Sequence, residues 1–217
     1  MIAESSKIVR IALPDMNMPK TIHCLSLSML LLAFLHNPAL SQVSRFKGSL
    51  LAGLNLSQID GDRLAGFNQP GAAAGIQVNT IFSTRWEMSM ALQFAQQGAR
   101  RNLNDDPAAA YARIRLNRVE VPVMLQFNEW KFQVGAGLSY SRLIRQRVLD
   151  SLEEDVSDQI GFRPDGLSYL FGGTFFFKPD TGFHIQWQKG LWSLLPAGSA
   201  QNRWISRNIS LSWVHVF

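Results

Sequence analysis

Between residues 86 and 94 the chain reads WEMSMALQF: Trp86, Met88, Met90, Leu92 and Phe94 are apolar, while Glu87, Ser89, Ala91 and Gln93 between them are charged, polar or small. The same period of two returns in WKFQVGAGLSY, where Trp130, Phe132, Val134, Ala136, Leu138 and Tyr140 alternate with Lys131, Gln133, Gly135, Gly137 and Ser139. Alternation sustained over such lengths predicts strands with one apolar face. Six more segments follow it: residues 46–57 (with Leu51 out of phase), 72–82, 111–127, 167–176, 183–190 and 204–217. In 111–127, Ile114 and Leu116 keep one phase and Val119, Val121, Val123, Leu125 and Phe127 the other. A β-bulge near Asn117 is the expected cause.

The connections alternate in length. Short ones lie near 83–85, 128–129 and 178–182, and long ones at 58–71, 98–110, 143–164 and 191–203. An even number of strands with short turns at one end and long loops at the other predicts an all-β fold: an eight-stranded antiparallel up-and-down transmembrane β-barrel of the outer membrane, with the short turns in the periplasm. Phe82, Trp86, Phe127, Trp130, Phe177 and Phe217 then form an aromatic girdle at that interface. A soluble eight-stranded barrel would invert the pattern and hide its apolar face inside. The opposite face carries Glu87, Arg118, Glu120, Lys131, Gln133 and Gln186, too many polar groups for a dry core.

The N-terminal part departs from this pattern. Residues 18–42 read MPKTIHCLSLSMLLLAFLHNPALSQ, with Lys20 before an apolar run and Ala39-Leu40-Ser41 as a small-x-small site. That is the layout of a secretory signal peptide, and its run is too short for the roughly 20 residues of a membrane-spanning helix. We therefore expect a cleaved leader at 1–41, with the stretch before Met18 reflecting an upstream start codon, and a barrel domain at 42–217. The single cysteine, Cys24, falls in the leader, which leaves the exported chain without disulfides, thiol catalysis or cysteine-bound metal.

Charge narrows the function classes. The net +5 is spread along the chain without a Lys/Arg block, which argues against nucleic acid as a partner. Eight strands enclose only enough room for side chains, so a wide pore is not expected. Glu87, Arg118, Glu120 and Lys131 project from neighbouring strands toward the lumen and are expected to form a salt-bridged polar network that fills it; a narrow gate for small solutes is the other reading. No catalytic, cofactor or metal site is expected. His184 lies in the lumen near a short turn and His215 on the membrane face, both far from the long loops, and no histidine pair has metal-ligand spacing. The loop at 143–164 is rich in charge but lacks the spacing of a calcium loop. Arg100 and Arg101 beside Asp105 and Asp106 form a basic rim suited to lipopolysaccharide phosphates, and outer-membrane lipid and lipopolysaccharide are the expected surroundings.

The runs GSLLAGLNLSQIDGD, NQPGAAAGI, LQFAQQGAR, RLNRVEVPVMLQF, FQVGAGLSYSRLI and NRWISRNISLSWVHVF, in that order, resemble the PorT-like outer-membrane β-barrel family of Bacteroidetes over nearly all of 46–217. The most specific pieces are Gly53-Leu54-Asn55, Gln96-Gln97-Gly98 and Val119-Glu120-Val121-Pro122. Two features depart from the family pattern: Arg118, where an aromatic is common, and the apolar Trp192, Leu194 and Leu195 in a loop. The resemblance implies little about function beyond a namesake linked to protein secretion; a structural or binding role through the long extracellular loops is the expectation, with a narrow small-solute channel or a component of a secretion apparatus as alternatives. The resemblance also implies that the closing strand, through Trp213 and Phe217, is the signal read by the barrel-assembly machinery.

Overall fold

The computed structural model describes residues 45–64, 66–102, 105, 109–196 and 203–217. The expected leader with Cys24, and Asp106, lie outside the described residues. Eight strands follow one another: β1 (Phe46–Asp60), β2 (Gln69–Ile81), β3 (Trp86–Arg100), β4 (Tyr111–Glu129), β5 (Phe132–Asp150), β6 (Asp165–Lys178), β7 (Thr181–Gly190) and β8 (Ile205–Val216). Each pairs antiparallel with the next, and β8 returns to β1 to close the barrel. The closing register runs from Ser49 opposite Val216 to Asp60 opposite Ile205. Beyond it the Phe217 N–H donates to the Gly48 carbonyl at 2.8 Å and the Gly48 N–H to the Phe217 carbonyl at 3.3 Å.

The apolar phase faces outward. Leu50, Leu54 and Leu56 on β1, Met90 and Leu92 on β3, Val134 and Leu138 on β5 and Phe183 and Ile185 on β7 are exposed, while Ser49, Asn55, Ser89, Gln133, Gln186 and Gln188 between them are buried. Only a hydrocarbon surrounding makes that arrangement favourable, because it removes the exposed apolar surface from water. On β3 the belt from Trp86 to Phe94 spans about 26 Å along the strand, or about 20 Å along the barrel axis at the usual tilt. Aromatic pairs ring the short-turn end: Trp86 and Phe127 meet edge-on at 5.1 Å, while Phe132 and Phe175 at 5.0 Å and Phe177 and Phe183 at 5.4 Å are tilted.

Leu51, the apolar residue out of phase on β1, faces the barrel interior as its place in the alternation implies, and is buried there. The phase change in β4 is not a bulge of β4. All its even positions from Ile114 to Gln126 face inward, and the register with β3 is continuous from Gln93 opposite Glu120 to Arg100 opposite Arg113. A register shift does occur at Asn117, but the extra residue belongs to β5: Asn117 faces Arg145, Arg118 faces Leu143, and Ile144 is skipped.

What changes along β4 is the surroundings. Beyond Arg118 the inside becomes apolar, with Ile59, Ile114, Leu116, Val148, Phe162, Leu194, Leu195 and Trp204 packed in one cluster. The outside becomes polar, with Asn117, Arg115 and Arg113. The long strands β4 and β5 thus rise out of the membrane, and there the barrel wall is built like that of a soluble protein. Residues 143–150, read from sequence as loop, belong to β5 for this reason.

Closure depends on close backbone approach at the seam. A Cβ at Gly53 would lie 2.1 Å from the Leu211 carbonyl oxygen, whereas at outward-facing Gly173 its nearest neighbour would be 3.5 Å away. Gly53→Val is expected to cost about 3 kcal/mol and to deplete the compact, heat-modifiable form on electrophoresis, and Gly173→Ala to leave that form intact.

Candidate functional site

The lumen holds a continuous line of polar side chains. Near the short turns, Gln133 Nε2 donates to Glu87 at 3.2 Å, and Thr174 Oγ1 donates to Gln133 Oε1 at 3.4 Å. Thr174 Oγ1 lies 2.9 Å from His184 Nδ1, and His184 Nε2 lies 3.4 Å from Gln186 Oε1. Gln186 donates to Gln188 at 3.4 Å, and Gln188 donates to Glu120 at 3.3 Å. Glu120, only 1% exposed, also accepts from Gln97 at 2.5 Å and Gln93 at 3.3 Å. Ser206 Oγ then donates to Gln97 Oε1 at 3.1 Å, and Asn208 Nδ2 to Ser206 Oγ at 3.3 Å.

Three amide donors converge on the Glu120 carboxylate. Such charge-assisted bonds replace much of the hydration that a buried carboxylate gives up. Arg118, two residues along the same face and also buried, turns away: it donates to Ser141 Oγ at 3.2 Å and to the Arg163 carbonyl of the long β5–β6 connection at 3.5 Å. Lys131 stands at the mouth of the lumen and not within it. It sits exposed in the β4–β5 turn, over the ring of Trp130 at 5.2 Å, because the strand begins only at Phe132 and Gln133 takes the first inward position. Of the four charges grouped from sequence, Glu87, Arg118 and Glu120 are inside, and among the described residues no ion pair joins them. A chain through Gln133, Thr174, His184, Gln186 and Gln188 links Glu87 to Glu120 instead; the alternation puts these glutamines on the lumen phase, but their bonding to the glutamates is not readable from it.

The outer end is capped. Leu194 and Leu195, out of character for a loop, pack into the apolar cluster with Phe162, Trp204 and, from its edge, Tyr111. Trp204 meets Tyr111 at 5.8 Å and Phe162 at 6.0 Å, and Arg163 lies over the Trp192 ring at 4.8 Å. At the other end, a hollow of about 630 Å³ with Lys47, Glu87, Lys131 and Gln133 in its lining opens between the short turns. The lumen is thus open below and closed above. His215 faces outward, stacked on Trp213 at 5.5 Å and 3.3 Å from Thr181 Oγ1.

Eight strands, an apolar outside and a filled polar inside define the architecture. The fold is that of the small outer-membrane β-barrels. It is similar to Neisserial surface protein A, NspA (12% identity over 80% of this chain and 98% of that one, TM-score 0.50), to the attachment invasion locus protein Ail of Yersinia pestis (14%, 79% and 98%, TM-score 0.47), and to OprG of Pseudomonas aeruginosa (12%, 79% and 95%, TM-score 0.42). No family model matches the chain, and no curated protein matches it in sequence.

Among the long connections, Asp62 is buried beside β1, where the Leu64 N–H donates to it at 2.8 Å. Burial lifts its carboxyl from the ordinary 3.8 to about 7, more than that backbone bond lowers it, and the charges of Asp105 and Asp60 add to the rise. Ionising Asp62 therefore costs more in the folded than in the unfolded chain. Its contribution to stability is greatest below pH 3.8, falls as pH rises toward about 7, and is constant above. Carboxyl-carbon NMR should place its titration near 7, and Asp62→Asn should flatten the fall in stability over that window.

The glutamine cage makes its own prediction. Glu120→Ala leaves the buried Gln97 and Gln188 amides and the half-buried Gln93 amide without their acceptor and is expected to lower unfolding free energy in lipid vesicles by about 1–3 kcal/mol. Lys131→Ala, at an exposed turn, should change it by no more than about 0.5 kcal/mol.

Proposed function

We propose that this small outer-membrane β-barrel is a non-conducting scaffold that presents its long extracellular loops for structural or binding purposes. The observation that carries this reading is the apolar cluster of Ile114, Leu116, Phe162, Leu194, Leu195 and Trp204, which closes the lumen just beyond Arg118 and Glu120. An ion entering from the periplasmic hollow meets amides already bonded to one another and then a dry plug, where an unpaired charge is costly. A narrow small-solute channel is the weaker reading. A component of a secretion apparatus is the other reading, and it would draw on the same loops. We infer a non-enzymatic protein, because His184 is tied to Thr174 and Gln186 within the lumen and His215 is stacked on Trp213. Trp213 and Phe217 are proposed as the assembly signal on the strand that closes the barrel.

Planar-bilayer recording tests the sealed lumen. The folded barrel should give no discrete current steps above the bare-membrane background, and removing the plug with Phe162→Ala and Leu195→Ala together should introduce them. Steady unitary steps from the unaltered protein would establish a channel instead.

A further inference from the structure

One face of the outer wall changes character just beyond the apolar belt. On β4 the outward series passes from Val119 to Asn117, Arg115 and Arg113; on β3 it passes from Phe94 to Gln96 and, further out, Arg100; on β5 it passes from Tyr140 to Arg142, Arg145 and Arg147. Register sets these side by side: Gln96 and Arg145 flank Asn117, Arg100 faces Arg113, and Arg115 faces Arg147. Like charges directly opposite one another on a sheet destabilise it. Burial first, and then the charges of Arg100 and Arg115, push the Arg113 guanidinium below its ordinary value.

The acids nearby offset only part of this charge. Asp155 lies 3.5 Å from Arg147 and Asp165 2.8 Å from Arg142, while Glu153 acts on Arg113. Among the described residues no acid pairs with Arg115 or Arg145. Gln96, Arg115, Asn117, Arg145, Gln146 and Arg147 line a hollow of about 260 Å³ in this wall. There Arg115 Nε and Asn117 Oδ1 are buried without a hydrogen-bond partner. The β5 irregularity turns two successive side chains, Ile144 and Arg145, outward, so that an apolar residue 61% exposed stands beside the cations.

We propose that this wall of β3, β4 and β5 is a binding site for a phosphate group of lipopolysaccharide, held by Arg115, Arg145 and Arg147, with the lipid's first acyl carbons against Ile144. Guanidinium forks match phosphate oxygens two at a time. The hollow's height, immediately beyond the apolar belt, is that of the outer-leaflet headgroups, and Ile144 favours a phosphate carried on an amphiphile over a free one. The site is distinct from the Arg100–Arg101 rim read from sequence, since it lies on the barrel wall nearer the membrane. The inference rests on the outer-membrane reading above.

The test is thermal unfolding of the barrel folded in zwitterionic detergent, titrated with deep-rough lipopolysaccharide, with the same lipid after dephosphorylation, and with inorganic phosphate. The phosphorylated lipid should raise the midpoint of the unaltered protein, and the other two should not. Arg115→Gln, Arg145→Gln and Arg147→Gln combined should weaken the lipid's apparent affinity roughly tenfold or more. Without lipid that variant should unfold at no lower temperature, since repulsion between Arg115 and Arg147 is relieved. Arg85→Gln, at the opposite rim, should bind as the unaltered protein does. If the triple variant does not fold, Arg145→Gln alone should still weaken binding severalfold. Unchanged affinity in the folded variants, full binding of the dephosphorylated lipid, or an equal shift with inorganic phosphate would overturn the proposal. Compact migration in detergent and the bilayer recording report on the barrel separately, so a failure here leaves that reading standing.

Discussion

A strand edge cannot be left unpaired in hydrocarbon, because each free N–H and C=O there has neither water nor protein to bond. The ladder between β1 and β8 removes that edge, and the rest of the molecule follows from it. Closing eight strands sets a bore that side chains can just fill. Once the outside is committed to lipid, the inward phase is where polar residues can go. They must then satisfy one another, which Glu120 does with Gln93, Gln97 and Gln188. The same closure brings backbones so near at Gly53 that no side chain fits there.

The second determinant is where the membrane ends. Along β4 a single geometric phase passes through two surroundings. Between Val119 and Phe127 the odd positions meet lipid and the even positions meet the polar lumen. From Asn117 outward the odd positions meet water and the even positions meet an apolar plug. The plug is fed by connections as well as strands, with Phe162 from one long loop and Leu194 and Leu195 from another. A membrane barrel and a small soluble core are therefore stacked in one wall, and the arginine-rich outer surface lies at the level where they join.

This division explains what could be read from the residues alone. Strand number, order and facing were legible because period-two alternation is local and the belt residues Trp86 to Phe94 or Phe132 to Tyr140 obey it without exception. The plug was not, because Ile114 and Leu116 look like a slip of phase when inside and outside exchange polarity. Trp192, Leu194 and Leu195 were visible as an anomaly, but their partners are distant in sequence. The position of Lys131 was not legible, because alternation continues through Trp130 and Lys131 although both residues make the bend, with Trp130 at φ +54°. The charges facing the lumen were readable as types, and their partners were not, since cross-barrel neighbours depend on a register that no single strand encodes.

The exchange of surroundings along β4 is the centre of this account, and a nitroxide scan from residue 113 to 127 in lipid vesicles tests it most directly, with Cys24 replaced. Labels at 119, 121, 123, 125 and 127 should collide with oxygen dissolved in lipid, labels at 113, 115 and 117 with a water-soluble relaxant, and labels at even positions with neither. A lipid-exposed even position on the outer side of Asn117 would mean that β4 itself changes phase there, and would contradict the account.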